Sequence, residues 1–229
     1  MLELQLDNKA FGGRTLFDGF NMALQAGEFL CLLGPSGCGK TSLINLLAGL
    51  DQQFQGRIRL DPSLQRPGAI GYMFQQPRLL PWYTVRQNLE LIAEPARRDS
   101  ITPMLALMGL TDSASLYPNR LSLGMARRVA LARALINQPK LLLMDEPFVS
   151  LDPPTAKQMR QLIHRIREQH PDTAMVLVTH DLDEALDLAD RILVLGDSPT
   201  RVVYRWQGAP RGGARHESLR QQLLEHYCR

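Results

Sequence analysis

Leu2, Leu4 and Leu6 alternate with polar residues at the start of the chain, the period-two pattern of a half-buried strand. Glu28 to Leu33 is nearly continuous in apolar residues and reads as a strand buried on both faces. A glycine-rich stretch follows, and then TSLINLLAGL, in which Leu43, Leu46, Leu47 and Leu50 recur at helical spacing. The order strand, loop, helix returns further on. LLLMD is strand-like, Pro154 to Glu168 helical, AMVLVTH strand-like, and Asp181 to Ala189 helical with an acidic first turn. Alternation of this kind predicts an α/β fold, a parallel sheet covered by helices. From about Thr84 to Asn137 the apolar spacing is helical throughout, which predicts a helical lobe inserted into the sheet domain. The stretch from Pro199 is rich in Arg, breaks at Gly212 and Gly213, and reads as a peripheral tail ending in a short helix over RHESLRQQLLEHY.

The chain of 229 residues, 45% of them hydrophobic, is long enough for one sizeable core rather than several independent domains. A net charge of +3 is mild and falls short of the basic stripe that nucleic-acid binding requires. Cys31, Cys38 and Cys228 form neither a CxxC pair nor an even framework, so free thiols in a reducing compartment are expected. The first residues lack the basic start and apolar stretch of a signal peptide. No run approaches the roughly 18 apolar residues of a spanning helix, so a chain that does not itself cross the membrane is expected.

Gly34-Pro35-Ser36-Gly37-Cys38-Gly39-Lys40-Thr41 fits the phosphate-binding loop pattern in full, and it lies after a buried strand and before a helix, as the mechanism demands. Glycines let the backbone wrap phosphate with its N–H groups inward, the helix N-terminus adds positive potential, and Lys40 is placed to reach the terminal phosphates. Thr41 is the expected Mg²⁺ ligand on this loop. LLLMDEP ends an apolar strand in Asp145 and Glu146. Asp145 is expected to hold Mg²⁺, and Glu146, one residue further, to act as general base toward water. Cys38, inside the loop at a helix N-terminus, is expected to carry a lowered thiol pKa and to be alkylated when no nucleotide covers it.

LSLGMARRVALARAL, upstream of LLLMDEP, resembles the signature segment of the ABC transporter ATPases, and the likeness runs along nearly the whole chain. FQQP around Gln75 is similar to the family's Q-loop, Ser150-Leu151-Asp152 to its D-loop, and Thr179-His180-Asp181 to its switch histidine. The resemblance implies a P-loop NTPase (RecA-like) core with an N-terminal antiparallel β subdomain and an α-helical subdomain over about 84–137, in one domain of residues 1–229 with a tail over 199–229. It implies ATP and Mg²⁺ as cofactors. Nucleotide contacts fall to Phe11, which stacks on adenine, to Gly34 through Ser42, and to Asp152. Ser122 and Gly124 complete the site of an opposite subunit. Catalytic roles fall to Glu146, to His180, which contacts the γ-phosphate and orients Glu146 and water, and to Gln75. Gln75 also joins Thr41 and Asp145 around the metal.

The implied partners are a second copy or a second ABC ATPase, paired head to tail, and a transmembrane permease that the segment after Gln75 faces. A periplasmic solute-binding protein would complete the transporter, and no nucleic acid is implied. The chain would then be cytoplasmic, at the inner face of the membrane through the permease. PRLLPWYTVRQNL and HDLDEALDLADRILVL are similar to the nitrate, sulfonate and taurine importer group. Two departures from the usual LSGGQ stand out: Leu123 replaces a glycine and Met125 the glutamine. Two alternatives remain open from the residues alone. An ABC-type ATPase acting on DNA or ribosomes would share every nucleotide motif, but the chain has neither a heptad tract nor a second phosphate loop. A small-metabolite kinase would share the loop but has no use for a signature serine.

Overall fold

The computed structural model describes residues 1–208 and Arg220, and the described chain forms two compact units. One comprises Met1–Gln65 with Ala174–Arg229, the other Arg66–Thr173.

In the first unit, β1 (Leu2–Phe11) pairs antiparallel with both β2 (Arg14–Leu24) and β4 (Gln55–Leu60). Leu2, Leu4 and Leu6 are buried while Glu3, Gln5 and Asp7 face solvent, so the alternation is a one-sided sheet. A second set of strands is built on β3 (Phe29–Leu33), which runs parallel to β7 (Ala174–Thr179) on one side and β8 (Arg191–Gly196) on the other. Every residue of β3 and β7 is buried, as a strand covered on both faces requires. α1 (Lys40–Leu47) follows β3, and α6 (Leu182–Leu188) follows β7. Asp181 caps α6 by accepting from the N–H groups of Asp183 and Glu184, which makes the acidic start a cap as well as a dipole effect.

The stretch read as a peripheral tail begins differently. Arg201–Gln207 forms β9, antiparallel to β8, because Val202 and Tyr204 have a strand edge to complete. The helix expected over residues 215–227 lies, but for Arg220, outside the described residues.

In the second unit, β5 (Ile70–Met73) runs parallel to β6 (Leu141–Asp145), and the elements between them are helical. They are α2 (Val85–Glu90), α3 (Ile101–Leu107) and α4 (Leu123–Leu135), with short 3-10 turns. Thr84 and Gln87 form a reciprocal capping box that starts α2. α5 (Pro153–Gln169) follows β6. No helix among the described residues is long and apolar enough to cross a membrane.

Candidate functional site

The phosphate-loop segment lies wholly in the first unit. Gly34 extends β3 and donates its N–H to Thr179 O at 3.3 Å. Gly37 and Gly39 have φ of 83° and 91°, a region open to glycine at little cost. Gly39 is doubly restricted, since a Cβ there would lie 3.0 Å from the ring of the buried Phe17. Lys40, only 4% exposed, donates from Nζ to Gly34 O at 2.7 Å and Pro35 O at 2.8 Å, so its ammonium is held inside the curl of the loop. Pro35, Ser36, Gly37 and Thr41 are exposed, and Ser42 is half-buried. The exposed Ser36 and Thr41 thus stand on a loop curled around a fixed cation, a combination chemically suited to phosphate.

Cys38 departs from expectation. It is buried, and burial pushes its thiol above the ordinary range, outweighing the lowering by Lys40 and by the backbone N–H groups at the helix start. Desolvation penalises the thiolate more than the helix N-terminus favours it, so Cys38 is not the activated thiol that its position in the sequence suggests. Cys31, fully buried below, is raised still more strongly by the same cause.

His180 follows Thr179, the register partner of Leu33, and so leaves the sheet beside the strand that feeds the loop. Its ring is exposed. The turn under it is fixed, because Thr179 Oγ1 donates to Glu184 and accepts from the N–H of Asp181. Phe11 at the end of β1 is 73% exposed, which rules out core packing and leaves a free aromatic face.

The second unit holds the acidic pair. Asp145, the last residue of β6, is buried, and Glu146 is half-buried. Met73 and Met144 are register partners, so Gln75 and Glu146 each lie two residues beyond a paired position. Their side chains meet there, Gln75 Nε2 donating to Glu146 Oε2 at 3.4 Å. Glu146 has φ 45° and Ser150 φ 62°, both left-handed conformations that a side chain disfavours. Asp152 caps α5 by accepting from the N–H of Thr155 at 3.1 Å. Ser122 caps α4 in the same way, its Oγ accepting from Met125 N at 3.2 Å. Gly124 is buried against α5, where a Cβ would lie 2.5 Å from Thr155 Cγ2. The second glycine of the signature is therefore required for space, while Leu123 points to solvent at no packing cost.

No group of three or more His, Cys, Asp or Glu among the described residues could hold a metal by itself. Magnesium does not need one, because it takes one or two protein oxygens and fills its shell with substrate phosphates and water. A hydroxyl at Thr41 and a carboxylate at Asp145 are donors of that kind.

The match to known proteins is direct. Residues 17–149 match the family model described as ABC transporter. The chain belongs to the ABC transporter family. It is an ATPase cassette of that family, with the fold that the alternation and the phosphate loop predicted. Over 205 residues it is 42% identical to the aliphatic sulfonates import ATP-binding protein SsuB 2 of Pseudomonas syringae pv. tomato, covering 89% of this chain and 85% of that one. It is also 42% identical over 212 residues to an SsuB of Pseudomonas aeruginosa, covering 88% and 84%. Among solved structures, a dimeric post-hydrolysis ATP-binding cassette bound to ADP and Pi superposes with TM-score 0.77 at 30% identity, covering 93% of this chain and 100% of that one. A dimeric bacterial ABC transporter cassette gives TM-score 0.77 at 31% identity with the same coverage.

Three supporting residues of the cassette escaped the sequence reading. Thr200, buried in the supposed tail, donates from Oγ1 to Cys38 O at 2.6 Å and so buttresses the phosphate loop from 162 residues away. Asn88 is buried and ties the segment before α2 together, accepting from Leu80 N and donating to Leu80 O, Tyr83 O and Thr84 O. It leaves Trp82 67% exposed on that segment. Arg127 is 3% exposed and reaches the backbone after β6. None of the three stood out in the sequence, and Arg127 shares its segment with Arg128 and Arg133.

Proposed function

We propose that this cassette binds Mg-ATP and hydrolyses it in a head-to-tail dimer to power import through a separate membrane permease. Import, and aliphatic sulfonates as the first cargo to test, are supported by the names of its relatives. A solute-binding protein would deliver the cargo outside, and this chain would work at the inner membrane face. The exposed Trp82, and a cavity of about 250 Å³ lined by Phe74, Pro77, Arg78 and Arg133 among others, would offer the permease apolar surface and two cations.

The observation that carries hydrolysis is the contact of Gln75 with Glu146, one residue beyond the buried Asp145. Lys40 and the loop from Gly34 to Ser42 would bind the β- and γ-phosphates, and Phe11 the adenine face. Thr41 and Asp145 would hold Mg²⁺ with Gln75 at its edge. When bound, the ion would compensate charge on the phosphate oxygens. Glu146 would accept a proton from water as its oxygen bonds the γ-phosphorus and the bond to ADP breaks. His180 would donate to the γ-phosphate and hold Glu146 and that water in line. Ser122 and Gly124 would approach the phosphate bound by the other subunit, with Asp152 beside them.

Glu146→Gln tests this reading. It keeps the side chain's shape and reach but cannot take the proton, so Mg-ATP binding should survive while turnover stops. Uncleaved ATP should then hold two chains together, giving a dimer with Mg-ATP and a monomer with Mg-ADP by size-exclusion chromatography with light scattering. Adding Ser122→Arg should abolish that dimer and leave ATP binding intact. Full hydrolysis by Glu146→Gln would move the base elsewhere, and a dimer indifferent to nucleotide would contradict the sandwich.

A further inference from the structure

We infer that Arg127 is a positioning residue for the hydrolytic step: its guanidinium clamps the turn that carries Glu146 to the helix that begins at the signature serine. This rests on the reading of Glu146 as the base.

Arg127 lies five residues after Ser122, on the buried face of α4 with Gly124, Leu131 and Ala134. Nη1 donates to Glu146 O at 3.0 Å and to Pro147 O at 2.9 Å, and Nη2 donates to Val149 O. Three carbonyls within four residues of one turn thus converge on one side chain. The same turn holds Glu146 and Ser150 at positive φ without glycine. Such conformations persist only where the surroundings over-determine them. A guanidinium meets that need, because it stays charged and offers several N–H groups in one rigid plane. A lysine ammonium would supply charge without the plane.

The contact to Glu146 is made at its own carbonyl, so a shift of Arg127 moves the backbone that bears the carboxylate. A second contact closes the frame. Gly124, three residues before Arg127, packs on Thr155, whose N–H is capped by Asp152. One helix therefore holds the segment from Glu146 to Thr155 at both ends. Movement of the signature helix is passed to the position of the base, and Arg127 is the link nearer to it.

Arg127→Met and Arg127→Lys, each made in the native chain and in Glu146→Gln, test the inference. In folded Arg127→Met, kcat should fall by about 10- to 100-fold, the loss expected when a reacting group is misplaced by about 1 Å, with KM for ATP within about threefold of native. Arg127→Lys should recover part of kcat. In the Glu146→Gln background neither change should lower the residual turnover further, since the group that Arg127 positions is already disabled. Native kcat in folded Arg127→Met would overturn the inference. So would an equal proportional loss with Glu146→Gln, or a lower melting temperature and higher KM at unchanged kcat, the signature of stability alone. If Arg127→Met does not fold, Arg127→Lys decides by the same split, and failure of both to fold would assign Arg127 to stability and overturn the proposal. The two readings fail separately. Full turnover by Glu146→Gln removes the base, whereas an inactive Glu146→Gln beside a fully active Arg127→Met removes only the clamp.

Discussion

The phosphate loop after β3 and the acidic turn after β6 are both strand-to-helix connections, yet they reach their backbone conformations by opposite means. The loop after β3 places glycine at its left-handed positions, Gly37 and Gly39, so the local chain accepts the shape with little strain. The turn after β6 puts Glu146 and Ser150 at positive φ and is held by the guanidinium of Arg127, brought from another helix. A glycine can stand at a position where only backbone must approach the ligand. Under the proposed mechanism Glu146 could not be a glycine, because its side chain would be the base, so the conformation has to be supported from outside. Conformational cost is met locally where backbone does the work and by tertiary contacts where a side chain does.

The comparison breaks most visibly at Gly39. Gly39→Ala combines a left-handed φ with a Cβ 3.0 Å from Phe17, and should destabilise the chain by about 1–3 kcal/mol. It should also weaken ATP binding by at least about tenfold, a loss equivalent to about 1.4 kcal/mol. Titration with a fluorescent nucleotide beside a thermal melt would measure both, and native affinity would show that the loop adapts.

A glycine of the other kind sharpens the contrast. Gly124 is needed for space, so Gly124→Ala forces Thr155 to move at a cost of about 1–3 kcal/mol. The gain in helix propensity, up to about 1 kcal/mol, offsets part of this. Chemical denaturation should therefore show a net loss of about 1 kcal/mol, and a more stable variant would mean that α4 and α5 have slack between them. The smallest effect is expected at Thr200, a tertiary prop under the glycine loop. Thr200→Val keeps the shape and removes the donor to Cys38 O, costing about 1 kcal/mol and raising KM for ATP by a few-fold. If Thr200→Val matches the native chain in both, the loop is locally sufficient and the contrast with the acidic turn is complete.

Legibility followed the same division. Leu2, Leu4 and Leu6, the apolar runs of β3, β6 and β7, and the glycine spacing from Gly34 to Lys40 were all readable, because each is fixed by periodicity or by a steric rule acting within a few residues. The neighbours of Gln75 and Glu146 were suggested by resemblance, and their contact needed the pairing of β5 with β6. Cys38 was misread because the sequence shows the helix N-terminus and not the desolvation that outweighs it.

The sequence by itself determined the fold class, the phosphate loop and the family, since these rest on patterns repeated along the chain and on residues that no other local structure uses. Only the tertiary structure decided what supports the chemistry. Thr200 lies in a stretch whose composition suggested a tail, and it reaches the loop because β9 pairs with β8. Arg127 is one of several arginines in its segment, and only the packing of α4 distinguishes it from its neighbours by burying it against the carbonyls of the acidic turn. Hydrogen bonds between residues far apart in sequence leave no period and no spacing to read. Their partners are set by where whole strands and helices come to rest.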